Sequence, residues 1–88
     1  MFDRAVDDAD RALMSAILAE TGGKVLSDSL TASLLKAGEW AQVAIEALLD
    51  AVARHQSVEP DLVQQALDRW PHDMGPVVAD EIRLLIPA

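Results

Sequence analysis

Between Glu39 and Arg54, apolar residues return every three or four positions. Trp40, Ala44, Leu48 and Val52 form one stripe, and Ala41, Ile45 and Leu49 form its neighbour. This is the spacing of an α-helix, in which residues three and four apart share a face. The two stripes together make an apolar face too broad to be covered by one partner. Its alanines leave room for other helices to approach closely, so the segment is predicted to be a central helix with others packed around it. Glu39, Glu46 and Asp50 fall on the opposite side.

The rest of the chain supplies those other helices. From Phe2 to Glu20 the inward stripe is Phe2, Val6, Ala9, Leu13 and Ile17, widened by Met14 and Leu18. Asp3, Asp7 and Asp8 lie in the early turns, where carboxylates favour the positive end of the helix. Asp7 and Arg11, four apart, are placed to pair. Thr21, Gly22 and Gly23 end this helix. Ser27 or Asp28 caps a second, shorter helix running to about Ala37, with Leu30, Leu34 and Leu35 facing inward and Gly38 as its C-terminal stop or a point of close helix approach. After a connection over His55–Val58, Pro60 occupies a first helical position, where its missing N–H costs nothing. The fourth helix turns Leu62 or Val63, Ala66, Leu67 and Trp70 inward and stops before Pro71. Pro71–Gly75 reads as a link. Pro76 then opens a last helix with Val78, Ile82 and Leu85 on one face, ended by Pro87.

No segment has the alternation of a strand. The predicted fold is therefore all-α, a compact bundle of about five short helices forming one domain over the 88 residues. Size scaling gives it a folded surface of about 5,000 Å². With one Phe, two Trp and no Tyr, the core is aliphatic.

The same residues limit function. There is no cysteine, hence no disulfide and no thiolate ligand or nucleophile. Acids rather than a basic and apolar leader follow Met1, and no apolar run approaches the roughly 20 residues that span a bilayer, so the expected compartment is the cytoplasm, without membrane attachment. Fifteen acids against seven basic residues give a formal charge of −8, of which residues 39–88 carry −6. Such a surface repels phosphate backbones and anionic lipid and attracts basic partners. The fourth helix offers Gln64 and Gln65 to base edges but little cation for phosphates, so nucleic-acid binding is not expected.

Chemistry is not expected either. Gly22–Gly23–Lys24 lacks the upstream glycine and following Ser or Thr of a phosphate loop. His55 and His72 read as exposed loop residues, and His72–Asp73 is two ligands short of a zinc site. Asp7, Asp8 and Asp10 lack the spacing of a calcium loop. No catalytic, cofactor or metal residue is assigned, and the chain is read as a binding protein. Glu46 and Asp50, four apart with Glu39 two turns earlier, form the candidate partner-binding ridge. Unless buried and separated in pKa, such carboxylates serve contact rather than acid–base chemistry.

From Leu35–Lys36–Ala37–Gly38–Glu39–Trp40 through Ala44–Ile45–Glu46 to Leu48, Leu49, Asp50 and Val52, the sequence resembles the MafI-like immunity proteins. Gly38, Glu39, Trp40, Ala44, Glu46, Leu49 and Asp50 fall on the family's pattern, and Val58–Glu59–Pro60–Asp61–Leu62 looks like its entry to the next helix. The likeness covers roughly residues 30–70. The step from Glu39 to Glu46 is one residue longer than in the family, and Arg54 stands near where the family tends to carry an acid. The resemblance implies a helical bundle that binds and neutralises a cognate bacterial toxin, often a nuclease. A toxin with a basic, nucleic-acid-binding surface would complement the acidic charge. The alternative from another class is a structural or scaffold subunit that self-associates as a homo-oligomer through its alanine-rich helix.

Overall fold

Helix ends are decided locally, and the chain's glycines, prolines and Asp28 place most of them. The computed structural model describes residues 4–87, with side chains described from Asp7 onward. Phe2, Asp3 and the side chain of Val6 lie outside the described residues. Among the described residues five α-helices run in order: α1 Arg4–Thr21, α2 Ser29–Lys36, α3 Trp40–Ala53, α4 Pro60–Arg69 and α5 Pro71–Arg83, with a 3-10 turn at Lys24–Ser27 between the first two. No strand is present among the described residues. The all-α bundle of short helices anticipated from periodicity is the observed fold.

The ends of α2 and α3 share one hydrogen-bond pattern. At the end of α2, Gly38 N–H donates to Leu35 O and Glu39 N–H to Leu34 O. This closes a Schellman motif around Gly38, whose φ of 77° suits glycine. The same pair of bonds ends α3, with His55 N–H on Val52 O and Gln56 N–H on Ala51 O. There the left-handed position is filled by His55 at φ 54° instead of glycine. Asp28, not Ser27, caps α2, accepting from Leu30 N–H at 2.8 Å and Thr31 N–H at 3.2 Å. Ser27 donates back to Lys24 O and closes the 3-10 turn.

The link at Pro71–Gly75 is also more ordered than anticipated. Pro71 sits at a helix start, and Pro71–Met74 forms a helical turn that holds Met74 in the core. Gly75, at φ 74° and ψ 168°, then breaks the helix before Pro76 resumes it. That region of backbone space is reached essentially only by glycine. His72 therefore lies on a helical turn, exposed, and His55 lies in the turn after α3, also exposed.

α3 is the central helix and packs against every other element. Val43, Ala44, Ile45, Ala47, Leu48 and Ala51 are its buried residues. The buried arc is thus turned toward Val43, Ala47 and Ala51, and Trp40, Ala41, Leu49 and Val52 remain half-buried at its margins. Leu13, Met14 and Ile17 of α1, Val63, Ala66 and Leu67 of α4 with Trp70 beyond it, and Met74, Ala79 and Ile82 of α5 complete an aliphatic core. On α2 the inward arc is Thr31, Leu34 and Leu35. Leu30, expected inward, lies about one residue's rotation off that arc and is 70% exposed. Ala9 is likewise exposed. The surface is 5605 Å², somewhat above the scaling expectation, and the bundle extends 40 × 27 × 22 Å.

Candidate functional site

Two polar clamps bind α1 to the rest of the bundle and account for both tryptophans. Trp40 Nε1 donates to Asp7 Oδ1 at 2.8 Å, and the Arg11 guanidinium lies 5.5 Å from the Trp40 ring centroid. Asp7 and Arg11 therefore each engage Trp40 instead of pairing with one another. Asp10 accepts from Trp70 Nε1 at 3.0 Å and also from Arg69 Nε, with which it forms an ion pair. Trp40 lies at the edge of the core and Trp70 inside it, both tied by their indole N–H groups, as buried or half-buried indoles require.

The candidate ridge lies on the opposite side of α3. Glu39 sits at the helix entrance, its backbone N–H held by Leu34 O and its side chain exposed. Glu46 and Asp50 come together in a shallow groove of about 370 Å³ between α3, the 3-10 turn and the start of α2. Lys24 and Arg54 line the same groove, and so does Asp28, whose carboxylate is already committed to capping α2. Three carboxylates and two cations give the groove a net charge of −1, a mixed surface rather than a uniformly acidic one. Arg54 Nε approaches Asp50 Oδ2 to 2.9 Å as an ion pair, but without hydrogen-bond alignment, so this buried carboxylate oxygen has no donor. Lys24 and Asp28 come from another part of the chain, and the helical spacing of α3 alone gives no sign of them.

A second feature is the outer face of α5 together with the turn that follows it. Val77 and Leu84, seven residues apart, are 76% and 71% exposed. A separation of seven places them on one helical face, apart from the inward face of Val78, Ile82 and Leu85. Leu84 adjoins a groove of about 320 Å³ lined by Val52, His55, Gln56, Ser57 and Leu85.

Among the described residues, no group of three or more His, Asp or Glu side chains is arranged to hold a metal ion. No described helix is long and apolar enough to cross a membrane. No family model, curated protein or solved structure matches the chain.

Proposed function

We propose that this chain is a protein-binding domain that neutralises a basic cognate toxin in the manner of an immunity protein, through carboxylates displayed on its helices. The observation that carries the reading is how the charges of residues 39–88 are disposed. All three arginines of that stretch are already engaged by carboxylates: Arg54 by Asp50, Arg69 by Asp10 and Arg83 by Asp80. Glu39, Glu46, Asp61, Asp73 and Glu81 remain exposed to solvent and open to cations from outside. Charge of this kind speeds encounter and selects among partners more than it adds affinity. Self-association meets the repulsion of two −8 chains and is the less favoured reading.

The test is surface plasmon resonance against the product of a toxin-like gene adjacent to this one, with wild type and Glu46→Lys/Asp50→Lys at two salt concentrations. A retained helical spectrum with affinity reduced by about 2–5 kcal/mol is the result expected if these carboxylates are desolvated at the contact. Equal dissociation constants would remove the groove from the interface. Absence of wild-type binding would remove the immunity reading for that partner.

A further inference from the structure

We propose that the outer face of α5 docks an amphipathic helix of a partner protein whose apolar stripe is flanked by lysine or arginine. This rests on the protein-binding reading above and adds a second, partly apolar contact to it. Val77 and Leu84 are the two most exposed large apolar side chains of the described residues. They stand two turns apart on one face, the separation at which a partner helix places successive anchors. Asp80 and Glu81 lie between them along the helix and border the stripe on its two sides. Asp80 is shared with Arg83, and the Glu81 carboxylate has no partner among the described residues. Glu81 is thus the uncompensated carboxylate beside the two apolar side chains, and a cation flanking a partner's apolar stripe would complement it.

Leu84 also lines the groove of about 320 Å³ formed with Val52, His55, Gln56 and Ser57. His55, on its wall, holds the left-handed backbone that glycine fills at the matching turn after α2.

A second copy of this chain fits the face less well. A two-fold axis between Asp80 and Glu81 would set Val77 over the copy's Leu84 and bring Asp80 against the copy's Glu81, like charge on like. Anionic lipid is repelled by the same carboxylates.

The probe is a synthetic helical peptide of about five turns, with leucines at positions four and seven apart flanked by lysines, titrated into the full ¹⁵N-labelled chain. Amide shifts centred on Val77–Leu84 and Val52–Ser57 are expected, lost when serines replace the peptide's leucines or glutamates replace its lysines. Val77→Lys/Leu84→Lys, with an unchanged helical spectrum, is expected to weaken the peptide by about tenfold or more, as for loss of an anchoring contact. Shifts centred on Glu46 and Asp50, or no binding, would overturn the α5 site. A concentration-dependent dimer of the chain alone, dissolved by the same double variant, would overturn it in favour of a second copy. The toxin measurement separates the two proposals: wild-type binding that survives Val77→Lys/Leu84→Lys undiminished keeps the immunity reading and rejects this face. Failure of toxin binding alongside localised peptide shifts does the reverse.

Discussion

Removing the Asp10 carboxylate tests whether the α1–α4 clamp stabilises the bundle. Asp10 is half-buried and receives the indole N–H of Trp70, a side chain only 3% exposed, together with Arg69. In Asp10→Ala the Trp70 donor is left in a largely dry site, which costs about 1–3 kcal/mol. The ion pair is a quarter to a third exposed on its two sides, so solvent screening holds its share to about 0.5 kcal/mol. The total, about 2–3 kcal/mol, is a large part of the roughly 4–13 kcal/mol that a chain of this length holds. With a urea dependence of about 1 kcal/mol per molar, the midpoint should fall by about 2–3 M. Asp10→Asn keeps an acceptor for the indole and should recover more than half of the loss. Urea unfolding followed by circular dichroism, extended to Trp70→Phe and the double variant, isolates the pair. We expect a coupling of about 1–2 kcal/mol between positions 10 and 70. Effects that add to within about 0.5 kcal/mol, with Asn no better than Ala, would refute the clamp.

Three further outcomes follow from backbone and packing. His55→Gly relieves a left-handed residue at φ 54° and should raise stability by about 1 kcal/mol, seen as a thermal midpoint higher by about 4–8 °C. Gly75→Ala meets no neighbouring atom within 4 Å, so its cost is all in the backbone; a loss of about 1–3 kcal/mol in urea unfolding is expected, and an unchanged midpoint would mean the α5 break relaxes freely. Trp40→Ala should cost about 2–3 kcal/mol, less than the 3–5 of a fully buried tryptophan, because the indole sits at the core margin, while Trp40→Phe should lose only the exposed hydrogen bond to Asp7, about 0.5–1.5 kcal/mol.

What the sequence determined by itself is the set of helices and most of their ends. Gly22, Gly38 and Pro60 act within a few residues of themselves through φ angles and missing donors, so their effects are legible without any knowledge of the fold. Alanine between the apolar residues of Glu39–Arg54 also marked that helix as central, because close approach depends on side-chain size alone. The i,i+4 spacing of Glu46 and Asp50 was readable for the same local reason. Only the tertiary structure decided which arc of each helix is buried. Periodicity defines a broad stripe, and the position of neighbouring helices selects Ala47 and Ala51 over Val52, and Thr31 over Leu30. It also decided the company of each charge. Asp10 meets Trp70, and Glu46 shares a groove with Lys24, because packing brings together residues far apart in the chain. Contacts of that kind leave no local signature, since their free energy exists only once the helices are in place.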